Sequence, residues 1–270
     1  MIADYAFLCD IDGTLLRRDV PLSDEVIDAA HAFVNAGGYL ALCTGRSTVA
    51  AREIARRLRV NLPCILYGGA SLYDFSTESH IVLHSFQNDI RQSVALVLER
   101  YPDISMQVFT RDDIYVLRRN ARLNARGVRE ENVGEERPLT AVSGDVVKLV
   151  MCCDNTEELC ACEEFFPAEY CDFAFASRNF VDVVPRGCNK ADTMMALASY
   201  AGIPPEHFFA AGDGATDLPL LQAAGISFAP NNAVPQVKDA VQHVVGDVKD
   251  GGMARAFRMA AEMIYQHKEC

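Results

Sequence analysis

Short runs of apolar residues recur towards both ends of the chain, and each run is followed by small or polar residues. Five of them are predicted to be β-strands, at residues 5–9, 39–43, 64–67, 208–211 and 226–229. Their apolar residues stand at consecutive positions, which is typical of strands covered on both faces of a sheet. Asp, Gly, Thr or Pro bounds each run, as expected where a strand ends.

Helical patterns alternate with these strands. Ser23 is a suitable N-cap for a helix with an apolar stripe of Val26, Ala30 and Phe33, and a pair of glycines at 37 and 38 ends it. Further helices are predicted at residues 47–58, 190–201 and 253–265. Strand–helix alternation predicts a mostly parallel α/β sheet with right-handed crossovers.

The middle of the chain has a different organisation. Its pattern predicts helices at 88–100, 119–126 and 156–166 and strands at 105–109, 114–117 and 146–152, with one or two more strands ending at 184. A charged loop with a proline covers 127–144. We therefore predict a discontinuous core domain of residues 1–80 and 185–270, with residues 81–184 as an inserted α+β domain.

Charge and hydropathy narrow the possible partners. The 270 residues are 50% hydrophobic, which is enough for a large buried core, and they carry a net charge of −12. Such a charge argues against nucleic acid as a partner, because binding its phosphates needs a basic face. No stretch resembles a signal peptide or a membrane span, so the expectation is a cytoplasmic protein without a membrane partner. Oligomeric state is not indicated.

Ten cysteines are present, and several lie inside apolar runs. The pairs Cys152-Cys153 and Cys160-x-Cys162 are close enough to suggest a thiol cluster. None has the C-x-x-C spacing of a zinc site. Packing in the core, as small apolar residues in a reducing compartment, is therefore the preferred interpretation.

The most informative segment is the hexapeptide at 10–15, Asp-Ile-Asp-Gly-Thr-Leu, directly after the first predicted strand. Ligands of open α/β sheets bind at the carboxyl ends of the strands. Asp10 and Asp12 repel each other at such short spacing unless a cation neutralises them. Oxygen ligands of this kind suit Mg²⁺. Taken alone, the segment also fits an acidic turn that caps a helix.

A second acidic segment, Gly-Asp-Gly-Ala-Thr-Asp, covers residues 212–217 after the strand at 208–211. It brings Asp213 and Asp217 to the same edge of the sheet as Asp10. Three or four carboxylates that converge on one pocket call for a divalent cation. By itself, this segment also fits a glycine-rich turn into a helix.

Two further segments offer partners for a phosphate group. Thr44, Gly45 and Arg46 follow the strand at 39–43, where a hydroxyl and backbone N–H groups at a helix start can cradle a phosphate. A simple helix cap is the alternative. Lys190 opens a predicted helix, which is an unfavourable place for a cation in the helix dipole. An anion or carboxylates nearby would offset that cost, whereas a solvated surface lysine is the alternative.

Taken in this order, each at a strand–helix junction, the four segments resemble the haloacid dehalogenase (HAD) superfamily of phosphohydrolases. The long insertion is similar to the C2-type α/β cap of the Cof-like branch. The resemblance covers the whole chain and implies a Rossmann-like parallel-sheet core with an inserted α+β cap domain. It also implies a Mg²⁺-dependent phosphatase, a phosphoric monoester hydrolase, whose substrate is a small phosphorylated metabolite such as a phosphosugar.

The resemblance also implies a role for each site residue. Asp10 is expected to attack phosphorus and form a phospho-aspartate, and Asp12 to act first as general acid and then as general base. Mg²⁺ is expected to be held by the Asp10 side chain, the Asp12 backbone carbonyl and Asp213. Asp217 is expected to be a further ligand or a support for the others. The expected phosphate-binding residues are Ile11, Thr44, Gly45, Lys190, Thr216 and Asn232.

Three positions depart from the Cof-like pattern. Thr216 and Gly68 stand where asparagine is usual, and Ala191 follows the lysine where glycine is common. None of these changes removes a nucleophile, an acid or a metal ligand, but they alter the expected phosphate contacts. Asn232 matches a recurrent Asn-Ala pair and is expected either to line the site or to hold its loop.

Other functions share part of this chemistry. A phosphomutase of the same superfamily returns the phosphoryl group to a sugar. A phospho-acceptor signalling domain also uses an acidic pocket, a Thr or Ser, and a Lys, but it is about half this length and its acceptor lies mid-domain. A non-catalytic binder is opposed by the presence of all four segments. Substrate choice is expected to depend on polar residues of the inserted domain, with these candidates: Arg111, Arg118, Arg119, Arg178 and Asn179.

Overall fold

The computed structural model describes residues 5–17, 19–125 and 135–268. The chain forms two compact units, a first unit of Met1–Ile81 with Asn189–Cys270 and a second unit of Val82–Cys188. The chain begins with β1 (Ala6–Cys9), α1 (Asp24–Asn35), β2 (Tyr39–Leu42), α2 (Thr48–Leu58), β3 (Cys64–Leu66), β4 (Ser71–Asp74) and β5 (Ser79–Leu83). It continues with α3 (Arg91–Arg100), β6 (Ser105–Thr110), β7 (Ile114–Arg118), α4 (Ala121–Ala125), β8 (Val146–Cys152), α5 (Thr156–Ala161), β9 (Cys171–Ser177) and β10 (Phe180–Pro185). The last part contains α6 (Lys190–Ala201), β11 (Phe208–Ala211), α7 (Leu218–Ala223), β12 (Ile226–Pro230), α8 (Pro235–Ala240), β13 (His243–Val245) and α9 (Gly252–Lys268).

A parallel sheet with strand order β13-β12-β11-β1-β2 forms the centre of the first unit. In it β1 lies between β11 and β2, so that Cys9 is level with both Ala211 and Leu42. Every residue of β1 and β11 is buried, as expected for strands covered on both faces. The predicted fold class, an α/β parallel-sheet core with an inserted α+β domain, is confirmed.

Aromatic packing fixes the position of β1. The ring of Phe7 lies 4.6 to 5.9 Å, between centroids, from four other phenylalanine rings, those of Phe33, Phe209, Phe228 and Phe257. These rings come from the helices α1 and α9 and from the strands β11 and β12, and burial of each stabilises the fold by about 1.5–3 kcal/mol. The residue that follows β1 is therefore held at a defined point on the sheet edge.

Side-chain caps explain where three helices begin. The Ser23 hydroxyl accepts a hydrogen bond from Val26 N at 3.3 Å, which confirms the predicted N-cap of α1. Ser47 caps α2. Asn189 caps α6, accepting hydrogen bonds from two backbone N–H groups of its first turn at 2.9 Å. The predicted helix at 190–201 is confirmed with the same limits.

The second unit is built on an antiparallel sheet of order β7-β6-β8-β10-β9. Apolar side chains of α3 pack on it, including Val94 and Val97. The helix predicted at 156–166 is α-helical only to Ala161 and then continues as a 3₁₀-helix, Cys162–Phe165. Part of the predicted loop at 127–144 lies outside the described residues.

Two of the candidate substrate contacts, Arg118 and Asn179, donate hydrogen bonds to backbone carbonyls of the second unit. Arg118 donates hydrogen bonds to the backbone carbonyls of Leu98 and Tyr101 at 2.8 and 2.9 Å. The Asn179 side-chain amide donates to the carbonyl of Cys153 at 2.9 Å. These contacts hold both side chains within the second unit, and contact of Arg118 or Asn179 with a substrate stays a prediction.

The cysteines of the second unit support the core-packing interpretation. Cys152, Cys153 and Cys162 are buried, whereas Cys160 is exposed. Burial raises the pKa of the Cys153 thiol and raises that of Cys162 to about 12, so both remain protonated at neutral pH. Among the described helices, none is both long and apolar enough to cross a membrane.

Candidate active site

The carboxyl ends of β1 and β11 meet around a buried ammonium group. Asp10 follows β1, and its backbone N–H donates to Ala211 O at 2.9 Å. Lys190 Nζ donates to Asp10 Oδ1 at 2.7 Å and to Asp217 Oδ1 at 2.5 Å. All three side chains are at least nine-tenths buried. The structure therefore brings together residues from three of the four predicted segments.

A third carboxylate lies close to the two that pair with this ammonium group. Oxygen atoms of Asp10, Asp213 and Asp217 lie within 4.8 Å of one another. Burial raises the pKa of Asp10 well above its ordinary value, Lys190 opposes the rise, and the two other carboxylates add to it. Burial, with Asp217 next, raises the pKa of Asp213 to about 7. Burial lowers the pKa of Lys190, but Asp10 and Asp217 outweigh it and leave that pKa well above its usual range.

The cluster fits a divalent cation. Its donors are carboxylate oxygens, which Mg²⁺ prefers, and its excess negative charge would be balanced by a cation. Asp10 and Asp213 are the side chains best placed to hold the metal. Both Asp217 oxygens already accept hydrogen bonds, Oδ1 from Lys190 and Oδ2 from the backbone N–H groups of Asp213 and Gly214. Asp217 was expected either to bind the metal or to support the other ligands, and these contacts favour the supporting role.

Gly13 allows the two acidic segments to approach closely. Its φ is +91°, and a Cβ atom built on it would lie 2.1 Å from Asp213 Oδ2. Thr14 Oγ1 also donates to Asp213 Oδ1, at 3.4 Å. Asn232 Nδ2 donates to Gly13 O at 2.7 Å, and Asn232 Oδ1 accepts from Val248 N at 3.0 Å. Both polar ends of Asn232 are thus engaged within the fold, which favours the loop-holding role over phosphate binding.

We expect G13A to lower kcat on the order of 100-fold, because the added methyl group displaces the Asp213 carboxylate and small misplacements at a reacting centre carry losses of that size. G187A is the matched control: Gly187 also has a positive φ, of +77°, but its Cβ would meet nothing within 4 Å. Phosphate release and melting temperature should be measured for both. Equal losses of activity in the two variants would contradict this account of Gly13.

The predicted phosphate-binding residues lie on the same edge of the first unit. Thr44 is buried, and its hydroxyl oxygen accepts a hydrogen bond from Arg46 N at 3.2 Å, which leaves the hydroxyl proton for a ligand. Ile11 is fully buried, and its carbonyl accepts from Leu15 N at 2.9 Å in the turn after β1. Gly45 is half-buried. Their contact with phosphate stays a prediction.

Thr216 lies half-buried on the 3₁₀-turn Ala215–Asp217. Within the described parts of the chain its hydroxyl makes no hydrogen bond, so it is able to donate one to a ligand. Its predicted role is compatible with that position and is not tested by it.

A left-handed backbone explains the glycine at 68. Gly68 has a φ of +73°, a conformation that asparagine and glycine adopt more readily than other residues. Gly69 has a φ of +111°, and its Cβ would lie 2.3 Å from the backbone carbon of Asn189. Thr193 Oγ1 donates to Gly69 O at 2.6 Å and joins this turn to α6, the helix that begins with Lys190.

Asp12 pairs with Arg46, a residue for which the sequence indicated no separate role. Arg46 donates to both Asp12 oxygens, from Nε at 2.7 Å and from Nη2 at 2.8 Å. The Arg46 side chain is 10% exposed and that of Asp12 32%. The only sequence signal was the presence of an arginine beside Thr44 and Gly45 at a helix start.

Comparison with known proteins identifies the family. The family model described as haloacid dehalogenase-like hydrolase matches residues 7–257. The chain belongs to this family. The predicted resemblance to HAD hydrolases is therefore confirmed, and so is the predicted enzyme class, since matched relatives are named phosphatases.

Two curated relatives of this HAD hydrolase span nearly the whole chain. A 5-amino-6-(5-phospho-D-ribitylamino)uracil phosphatase of Bacillus subtilis is 24% identical, over 93% of this chain and 95% of its own. An HMP-PP phosphatase of Escherichia coli is 27% identical, over 87% of each chain.

Solved structures show the same fold. A haloacid dehalogenase-like hydrolase from Bacteroides thetaiotaomicron has a TM-score of 0.82 and 21% identity, covering 95% of this chain and 99% of that one. A sugar phosphatase of HAD subclass IIB has a TM-score of 0.82 and 22% identity, covering 94% and 98%. The fold, including the inserted domain, is thus one used by HAD hydrolases.

Proposed function

We propose that this HAD hydrolase is a Mg²⁺-dependent phosphatase that releases phosphate from a small phosphorylated metabolite, such as a phosphosugar, through a phospho-aspartate on Asp10. The observation that carries the proposal is the Asp10 carboxylate at the end of β1, buried beside the Lys190 ammonium and within reach of two further carboxylates. The matched relatives, named for phosphorylated small molecules, support the substrate class. In this proposal the second unit is a cap domain that sets substrate choice.

The chemistry has two steps. In the first, a carboxylate oxygen of Asp10 forms a bond to phosphorus while the bond to the leaving oxygen breaks, and Asp12 gives that oxygen a proton. In the second, water attacks the phosphorus and gives a proton to Asp12. The bond to Asp10 then breaks, its electron pair returns to the carboxylate, and inorganic phosphate leaves.

The residues around Asp10 each supply part of this reaction. The buried Lys190 ammonium would bind a phosphoryl oxygen while fixing the nucleophile. Thr44 and the backbone N–H groups of Ile11 and Gly45 would bind the remaining oxygens. Mg²⁺, held by Asp10, the Asp12 carbonyl and Asp213, would offset the negative charge of the phosphoryl group.

A panel of phosphorylated metabolites tests this proposal. Phosphosugars, nucleotides, phosphorylated cofactors and the compounds for which the relatives are named should be incubated with the protein, with Mg²⁺ or with a chelator. We expect Mg²⁺-dependent release of inorganic phosphate from a subset of the panel. Conversion of one sugar phosphate into its isomer without phosphate release would instead indicate a phosphomutase.

We expect D213N to have opposite effects on stability with and without metal. A carboxyl whose pKa is raised to about 7 in the fold costs stability above its unfolded pKa of about 3.9, because folding then disfavours its charged form. In chelator at pH 8, D213N should therefore raise the melting temperature by a few degrees, roughly, with little change at pH 4. It should also abolish most of the stabilisation that Mg²⁺ gives to wild type.

The matched control for this variant is D239N, which alters an exposed aspartate of α8. Melting curves at both pH values, with and without Mg²⁺, should leave D239N equal to wild type. If D213N kept the full Mg²⁺ response, Asp213 would not be a metal ligand.

A further inference from the structure

The Asp12–Arg46 pair has a geometry that suits the second step of the proposed reaction, hydrolysis of the phospho-aspartate. The two nitrogens of the guanidinium meet the two oxygens of the carboxylate in parallel, at 2.7 and 2.8 Å. Such bidentate pairs fix both the position and the plane of a carboxylate. A carboxylate held in this way acts as an acceptor, and each of its oxygens can still accept another hydrogen bond.

Arg46 is itself held from several directions. Its Nη1 donates to Ala50 O at 3.3 Å in the first turns of α2. Its backbone N–H donates to Thr44 Oγ1 at 3.2 Å, and its carbonyl accepts from Tyr67 N at 3.0 Å. These contacts hold the backbone and the guanidinium of Arg46 in place, and they connect Arg46 to the loop that carries the predicted phosphate-binding hydroxyl of Thr44.

From this geometry we infer that Arg46 is a positioning residue that holds Asp12 as the proton acceptor for hydrolysis of phospho-Asp10. The inference rests on the proposed function. In that step the oxygen of a water molecule bonds to phosphorus, one water proton goes to the Asp12 carboxylate, and the phosphorus–Asp10 bond breaks. Asp12 then carries the proton that the next leaving oxygen needs. Arg46 acts through Asp12 and has no contact with the phosphoryl group in this scheme.

The kinetics of R46Q distinguish this role from a general loss of structure. The probe is p-nitrophenyl phosphate, whose leaving group needs no proton, so the first step proceeds without Asp12 acting as an acid. Without Arg46, we expect the second step to slow and phospho-Asp10 to accumulate. The kcat should fall about 10- to 100-fold, in the range that a misplaced general base costs. KM should fall with it, so that kcat/KM stays within about threefold of wild type. A burst of nitrophenolate should precede the slow steady state.

Comparison with the Asp12 variant D12N shows whether Arg46 acts through Asp12. We expect D12N to show the same burst. Adding R46Q to D12N should lower kcat by less than about a further twofold, because the effects of groups that act as a unit are not additive. R46K keeps the charge but cannot form two parallel hydrogen bonds, so it should restore only part of kcat. The matched control is R56Q, since Arg56 makes the same two-pronged pair with Glu53 on the exposed face of α2.

Three results would overturn the inference. One is an R46Q enzyme whose KM rises and whose kcat/KM falls, because Arg46 would then bind the phosphoryl group directly. Another is a double variant R46Q/D12N in which the two losses of kcat multiply. The third is a kcat of R46Q equal to that of wild type and R56Q. Should R46Q fail to fold, as judged by its melting curve, the same comparisons apply to R46K. Absence of phosphate release from wild type would refute the proposed function instead, before any variant is considered.

Discussion

Replacement of Asp10 by Asn should abolish phosphate release. The amide cannot attack phosphorus, while it keeps the size of the side chain and an oxygen that can accept the hydrogen bond from Lys190. We expect kcat to fall by roughly 10³-fold or more, as is usual when a nucleophile is removed. The measurement is phosphate release from p-nitrophenyl phosphate and from the best substrate of the metabolite panel.

D28N serves as the control for D10N, because Asp28 is an exposed residue of α1. It should keep the activity of wild type. Substantial phosphate release by D10N, with no wild-type contamination, would show that Asp10 is not the nucleophile. A similar loss in D28N would mean that the assay reports stability and not chemistry.

Replacement of Lys190 by Met should have the largest effect on stability. It removes the buried ammonium that pairs with Asp10 and Asp217 and leaves two buried carboxylates without a compensating charge. Breaking a buried pair in this way costs about 3–5 kcal/mol. Because excess negative charge would remain, Mg²⁺ should raise the melting temperature of K190M more than that of wild type. Activity should be lost, since the phosphoryl oxygens lose their cation.

K148M is the matched control for stability. Lys148 is also buried, and its Nζ lies 2.6 Å from Asp182 Oδ2 in the sheet of the second unit. We expect K148M to lower the melting temperature as well, while its response to Mg²⁺ equals that of wild type. If Mg²⁺ stabilised K190M no more than K148M, the carboxylates near Lys190 would not form a metal site.

Convergence of the acidic residues could be predicted from the sequence because it depends on topology alone. Asp10 and Asp213 follow strands that are both short and apolar, and parallel strands place their carboxyl ends on one edge. The pairing of β1 with β11 brings these ends together. Lys190 was predicted from its unusual place at the start of a helix, and its two carboxylate partners explain that place.

Side-chain partners were harder to predict than positions. The sequence shows that Asp12 and Arg46 both follow sheet strands, but which group a carboxylate faces depends on its rotamer. The same holds for Asn232, whose amide is used to hold the loop at Gly13. The periodicity of hydrophobic and polar positions along the chain contains no information about such contacts.

Several elements were not predicted, among them α8, β13 and the hairpin of β4 and β5. The hairpin of β4 and β5 was not predicted, because the stretch contains several polar residues and its strands are short. Its turn includes Glu78 in a left-handed conformation, with a φ of +53°, which is rare for a glutamate. In the three-stranded sheet β4 lies between β3 and β5, and this pairing stabilises both strands of the hairpin despite their composition.

The central claim is a phosphoryl group carried by Asp10, and it can be measured directly in D12N. This variant should be mixed with p-nitrophenyl phosphate and Mg²⁺, quenched in acid, digested and analysed by mass spectrometry. The account predicts one added phosphoryl group on the peptide that contains Asp10, located at that side chain, and none in D10N/D12N. A phosphoryl group on another residue, or an unmodified peptide while nitrophenolate is released, would contradict it.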